Sequence, residues 1–239
     1  MYFTETYEPR LSDYNAAGKL SYEALLQILE NTGTRHTMMV YDKVADGGVA
    51  WVLVDWRVEI CRRPKQFQKL HIKTWVHGKA PASTAYRDFI VTDDKDRELL
   101  RAQAKFALVD IKAKKMTRIS EELFESYGPE SELSFESDAP RLHEPERFDA
   151  VIPVKLRRSD IDYNGHVHNT RYVDFAMEAL PENDYKADDF THLRIVYRAA
   201  VQPESKTEIK RAVMDGGQLL CVYANGQICT MIELRRYFI

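Results

Sequence analysis

Two stretches of this chain can be laid on one another without a gap, and this repeat constrains the fold more than any other feature. Ser12-Asp13 falls on Ser159-Asp160, Gly18 on Gly165, and Leu20 on Val167. Leu25, Leu26, Ile28 and Leu29 then fall on Tyr172, Val173, Phe175 and Ala176. Only three of twenty aligned positions are identical. The shared apolar spacing carries the comparison: each copy reads as an extended polar segment, a glycine turn and a helix.

The downstream layout repeats as well. Val54, Trp56, Val58 and Ile60 alternate with Asp55, Arg57 and Glu59, the period of a half-buried strand. Further strands are expected from Leu70, over Tyr86 to Val91, and over Leu100 to Val109, the last two joined across Asp93-Asp94-Lys95-Asp96. In the second half, strands are expected over Leu193 to Val201, Lys206 to Met214, Leu219 to Ala224 and Gln227 to Tyr237. Asn225-Gly226 between the last two is a type I′ hairpin signal, because both residues accept positive φ. The first helix is expected from Ser21, its N-cap, to about Thr32. Its wide apolar stripe predicts sheet around much of its circumference. The second helix, from Tyr172, ends before Pro181. Between the halves, residues 120–147 are rich in Glu and carry Pro129, Pro140 and Pro145, the composition of a connector.

With 239 residues, 44% of them hydrophobic, the chain can build one large domain or two small ones. A net charge of −3 leaves no general nucleic-acid footprint. No apolar run approaches the roughly 20 residues that span a bilayer. The N-terminus has no signal-peptide pattern, so a cytoplasmic protein is expected. Cys61, Cys221 and Cys229 are odd in number and fit no metal spacing, so free thiols are expected.

The polar run Ser159 to Asn169 concentrates the chemistry. Two carboxylates, two amides and two imidazoles surround one glycine. Such groups are costly to bury unless they pair or react. Alternation at 162, 164 and 166 puts Asp162, Asn164 and His166 on one side of an extended segment. The aligned positions in the first copy are Asn15, Ala17 and Lys19, so only the second half carries this set.

Asp162-x-Asn164-x-His166-Val167-x-Asn169-x-x-Tyr172, followed by Glu178 before a Leu-Pro end, resembles the active-site segment of acyl-acyl carrier protein (acyl-ACP) thioesterases. The resemblance covers nearly the whole chain. It implies an α+β double hotdog, two antiparallel sheets each wrapping a long central helix. The N-terminal hotdog is then 1–120, the acidic connector 121–147 and the catalytic hotdog 148–239. It also implies hydrolysis of a fatty acyl-ACP thioester by Asp162, Asn164 and His166, with no cofactor and no metal. Acyl-CoA hydrolysis or non-catalytic acyl binding are the alternatives. A further family carboxylate, in a Tyr-Arg-x-Glu context, meets Tyr197-Arg198-Ala199-Ala200 here, so Ala200 stands in its place.

Thioester hydrolysis needs an activated water and a stabilised oxyanion. Asp162 can take or direct the water proton, Asn164 can hold water or carbonyl, and His166 can pass protons. Backbone N–H groups at Val167 to Thr170 are the expected oxyanion donors. Leu25, Ile28, Leu29, Trp51 and Trp56 are candidates for lining an acyl tunnel, against the plainer reading of core packing. His168 and Asn169 are read as helix caps, and Glu178 as structural. Lys155, Arg157 and Arg158, joined by Arg171, Arg235 and Arg236, form a basic rim suited to an acidic carrier protein, or else a solvated strand edge. Pairing into a homodimer is left open.

Overall fold

The computed structural model describes residues 1–40, 44–78 and 82–236. The chain divides into two compact units, Met1–Asp138 and Ala139–Ile239. The far end of the last expected strand, at Tyr237, lies outside the described residues.

The first unit contains β1 (Phe3–Tyr7), α1 (Tyr22–Met39), β2 (Val49–Ile60), β3 (Leu70–His77), β4 (Thr84–Thr92), β5 (Glu98–Asp110), the two-residue β6 (Lys115–Met116) and α2 (Glu121–Ser126). Its strands run β1-β3-β4-β5-β2, and the pairs are antiparallel. The second unit contains β7 (Ala150–Val154), α3 (Arg171–Glu178), α4 (Glu182–Ala187), β8 (His192–Tyr197), β9 (Thr207–Met214), β10 (Gly217–Ala224) and β11 (Gln227–Arg235). Its order is β7-β9-β10-β11-β8, also antiparallel. In both units the first strand pairs with the third and the second closes the far side, so the repeat read from sequence is a repeat of topology.

Ser21 caps α1 as expected, its side chain accepting the Ala24 N–H at 3.1 Å. The helix buries Tyr22, Leu25, Leu26, Leu29, Gly33 and His36, a stripe at helical spacing. It runs past Thr32 because Gly33 is not a stop. A Cβ there would lie 3.1 Å from Arg87 Cδ, so the glycine admits a side chain crossing from β4. The second helical segment is shorter than a long central helix. It covers eight residues and ends before Pro181, which becomes the N-cap of α4.

Residues inside the acidic stretch belong to the first unit. Phe124 and Tyr127 join a core cluster with Val76, Ala85, Leu108 and Ile119. Beyond them, Trp75 Nε1 donates to the Glu132 carbonyl at 2.8 Å, and the Arg57 guanidinium covers Phe135 at 3.8 Å. The Ser134 N–H and Gln103 Nε2 both donate to Asp88 Oδ1, at 3.3 and 3.1 Å. In the second unit, Leu142 and Phe148 pack against the cluster of Leu219, Cys221, Tyr223 and Met231. Asn225 (φ 51°) and Gly226 (φ 81°) form the expected hairpin turn.

Candidate active site

Asp160 builds the polar loop. It is fully buried at the end of a 3-10 turn over Arg158–Asp160. Its carboxylate accepts the Arg157 N–H at 2.7 Å and the Arg157 guanidinium at 2.8 Å, and its carbonyl accepts the His168 N–H at 2.9 Å. The loop it frames is closed by the Asp162 N–H donating to the His166 carbonyl at 2.9 Å. The Gly165 N–H donates to the Asp162 carbonyl at 3.0 Å, with Gly165 at φ 82°. A backbone bridge joins Ile161 to Val167.

The first unit contains the same device. Asp13 Oδ2 accepts the Arg10 N–H at 2.7 Å, the Ser21 N–H donates to the Asp13 carbonyl at 2.9 Å, and the Asn15 N–H donates to the Lys19 carbonyl at 2.9 Å. Gly18 turns the chain at φ 70° and Tyr14 bridges Leu20. Asn15 Oδ1 accepts the Ala17 N–H at 3.0 Å, as Asp162 Oδ1 accepts the Asn164 N–H at 2.8 Å. The first loop position therefore needs a side-chain acceptor for closure, whichever chemistry follows.

In the second unit this backbone gathers the three candidate residues. His166 Nδ1 lies 3.6 Å from Asp162 Oδ2, an ion-pair approach longer than a hydrogen bond. His166 Nδ1 is buried and has no hydrogen-bond partner. Asn164 Nδ2 donates to Asp162 Oδ2 at 3.4 Å, at an exposed loop tip where Tyr163 is also open to solvent. Asp162 is thus the carboxylate within ion-pair distance of His166 among the described residues.

Segment 198–201 locks the loop from one side. The Val167 N–H donates to the Val201 carbonyl at 3.0 Å, and the Val201 N–H donates to the Tyr172 hydroxyl at 2.9 Å. Burial pushes the Tyr172 phenol up to about 12, keeping it a neutral acceptor. Tyr197 donates to the Asn169 carbonyl at 2.9 Å. Strand β8 ends at Tyr197 rather than Val201, because the Arg198 and Ala199 N–H groups both converge on the Cys229 carbonyl. Ala200 follows on the exposed turn and brings no carboxylate.

The expected oxyanion donors are largely committed. The N–H groups of Val167, His168 and Thr170 go to Val201, Asp160 and His168 Nδ1. The helix cap is Thr170 rather than Asn169. His168 binds just ahead of it, with Nδ1 2.9 Å from Thr170 Oγ1. Glu178 is exposed at the end of α3. Among the described residues no group of His, Cys, Asp and Glu is arranged to hold a metal. The three cysteines are free, and burial pushes the Cys221 thiol up to about 12, an inert state.

The basic rim is thinner than its sequence. Arg157 pairs with Asp160, Arg171 with Asp174, Arg235 with Glu233, and Arg236 with Asp184 and Asp189. Lys155, Arg158 and Arg198 are exposed.

The first unit holds a cavity of about 220 Å³ between α1 and its sheet. Of the five apolar candidates, Leu29, Trp51 and Trp56 line it, whereas Leu25 and Ile28 are buried elsewhere on α1. Val76, Phe89 and Phe124 complete much of the apolar wall. Sequence reasoning missed Arg87, which lines this cavity and whose Nη2 donates to Thr37 Oγ1 on the same wall at 3.3 Å. An arginine in the alternating strand Thr84–Thr92 carries no local mark of which face it takes.

Two units of one topology, each an antiparallel sheet with a helix, and an Asp, Asn and His loop in the second alone, define a tandem α+β protein. The chain belongs to the acyl-ACP thioesterase family: the family's N-terminal domain matches residues 1–127 and its C-terminal domain residues 144–230. Oleoyl-acyl carrier protein thioesterase 2 of Arabidopsis thaliana is 25% identical over 166 residues, covering 64% of this chain and 45% of that protein. The palmitoyl-acyl carrier protein thioesterase of Cuphea hookeriana is 25% identical over 196 residues, covering 79% and 46%. The chain thus spans about half the length of these relatives. The fold is that of the 12:0-ACP thioesterase from Umbellularia californica, with a TM-score of 0.86, 17% identity, and coverage of 98% of this chain and 96% of that one. An acyl-ACP thioesterase from Bacteroides thetaiotaomicron superposes with a TM-score of 0.85 at 20% identity, covering 98% and 97%.

Proposed function

We propose that the chain hydrolyses the thioester of a fatty acyl-ACP, releasing the free fatty acid. Its two units are the hotdogs of a double hotdog, the first holding the acyl chain and the second carrying the reaction. The observation that carries this reading is the approach of Asp162 to the buried, unpartnered His166 Nδ1, on a loop whose first-unit counterpart has Asn15 and Lys19 there.

The carboxylate of Asp162 favours the tautomer with the proton on His166 Nδ1. Nε2 is then an acceptor for a water proton. Attack on the thioester carbonyl places negative charge on its oxygen. Asn164 Nδ2 is a donor for that charge once it leaves its long contact with Asp162. Collapse expels the thiolate of the carrier's arm, and the imidazolium returns the proton to sulfur. The approach of 3.6 Å shortens to a hydrogen bond when substrate excludes water, as catalytic contacts do. Exposed Lys155, Arg158 and Arg198 favour an acidic protein carrier over a small thioester.

The test is turnover of acyl-ACP against acyl-CoA of equal chain length, with His166→Ala as control. Turnover of acyl-ACP that falls by roughly a hundredfold or more in the variant supports the reading. Tight acyl binding with no hydrolysis of either thioester overturns it.

A further inference from the structure

Arg87 reaches the first-unit cavity from β4 and is only 6% exposed. Its stem passes α1 at Gly33, where a Cβ would meet Arg87 Cδ at 3.1 Å and Nε at 3.4 Å. A glycine in a helix interior costs about 1 kcal/mol relative to alanine, so the fold gives up helix stability where this side chain crosses. The guanidinium is aimed as well as admitted. Nη1 donates to His36 Nδ1 at 2.7 Å, Nη2 donates to Thr37 Oγ1 at 3.3 Å, and the Tyr127 ring lies 5.6 Å away. His36 is fully buried, and burial followed by the Arg87 charge pushes its pKa down to about 4, so it meets the arginine as a neutral acceptor.

An alkyl chain laid against this wall gains where it touches Trp56, Val76, Phe89 and Phe124. Each methylene buried there is worth roughly fourfold in affinity. A methylene laid against the guanidinium meets a charged group and offers it no hydrogen bond. The gain per added carbon therefore ends where the chain meets Arg87. We propose that Arg87 is a specificity-determining residue that limits how much unsubstituted acyl chain this cavity accepts. The inference rests on the reading of the first unit as the acyl-binding half.

The experiment compares the unaltered chain with Arg87→Met and Arg87→Lys over saturated acyl-ACPs of increasing length, recording kcat/KM for each. In parallel, calorimetry measures the binding of the corresponding free fatty acids. Arg87→Met keeps the length of the stem and removes the charge. It is expected to raise the preference for long over short chains by roughly fifteenfold, the value of two methylenes. Arg87→Lys is expected to keep the original preference. An unchanged profile in folded Arg87→Met overturns the proposal. If Arg87→Met does not fold, Arg87→Gln serves instead: it removes the charge, keeps an amide donor and is expected to shift preference to longer chains, and an unchanged profile there counts equally against the proposal. An unaltered chain that hydrolyses no acyl-ACP sinks the hydrolase reading alone, because the fatty-acid profiles still report on Arg87.

Discussion

Asp162 Oδ2 and His166 Nδ1 face each other at 3.6 Å across a turn whose backbone is already closed by the bond from the Asp162 N–H to the His166 carbonyl. Asp162 has two duties there. One carboxylate oxygen caps the Asn164 N–H, and the other faces the imidazole. Asn15 performs only the first duty in the other unit. Asp162→Asn is therefore expected to fold as well as the unaltered chain while losing a hundredfold or more in turnover, on the order expected for a general acid–base group. Asp162→Ala removes both duties and is expected to lower stability as well, by about 1 kcal/mol. Thermal unfolding beside acyl-ACP hydrolysis separates the two. Equal turnover by Asp162→Asn and the unaltered chain would remove Asp162 from the chemistry.

The paired glycines give an internal control. Gly18 and Gly165 stand at φ 70° and φ 82°, and an added Cβ at either meets nothing closer than 3.9 Å. The cost of alanine at each is then one of backbone conformation, about 1 kcal/mol. Matched losses of stability are expected from Gly18→Ala and Gly165→Ala, but only the second should slow hydrolysis. A comparable loss of turnover from Gly18→Ala would contradict the separation of roles.

Acid should weaken the first unit through His36. Its pKa lies near 4 in the fold, lowered mainly by burial, against about 6.5 in an unfolded chain. Above pH 6.5 both states are neutral and nothing is lost. As pH falls from 6.5 toward 4, the unfolded chain takes up a proton that the folded chain refuses, so stability declines through that window. The contribution is on the order of 3 kcal/mol. Urea unfolding of His36→Gln, whose amide oxygen can still accept from Arg87, is expected to show a flatter profile between pH 6.5 and 4. A slope equal to that of the unaltered chain would assign the acid sensitivity elsewhere.

Carrier docking can be tested by charge. Reversal of Lys155, Arg158 and Arg198 to Glu is expected to raise KM for acyl-ACP severalfold and flatten its salt dependence, with little effect on a small acyl thioester. Steady-state kinetics at two ionic strengths reads both effects. Equal losses on the two substrates would place the damage in the fold rather than in docking.

Asp88 ties residues 133–135 to the first sheet. It is fully buried, bonded to Ser134 and Gln103, and paired with His77. Asp88→Ala leaves those partners unsatisfied and is expected to cost about 3 kcal/mol. Limited proteolysis should then cut near Ser134, and resistance equal to that of the unaltered chain would show the tie to be dispensable.

Much of this architecture was legible because it rests on local pattern. Alternation marked the long strands, Asn225-Gly226 marked a hairpin, and the offset from Ser12 to Ser159 aligned two loops that share their backbone bonds. The misses have physical causes. Strands β1 and β7 are five residues each, too short for alternation to stand out, and Pro153 in β7 is tolerated because β7 ends its sheet order. The first helix, expected to end at about Thr32, runs on to Met39 through Gly33, where Arg87 packs against it. The Glu-rich stretch looks like solvated linker, yet Phe124, Ser134 and Phe135 are buried by partners far away in sequence. In the loop, residue types singled out Asp162, Asn164 and His166, and the structure brings these three side chains together on one turn. The sequence could not show that the N–H groups at Val167, His168 and Thr170 were already spent on holding it together.

A loop that closes through its own backbone and one side-chain acceptor leaves its other positions free to drift. Ala17 and Lys19 occupy the places of Asn164 and His166 without altering the turn. On the assignment proposed above, such a scaffold permits a division of labour: one copy holds the Asp, Asn and His set while its twin can vary at the same places and still close its turn. Substitutions that tune selectivity in the first copy then leave the proposed reacting groups of the second untouched.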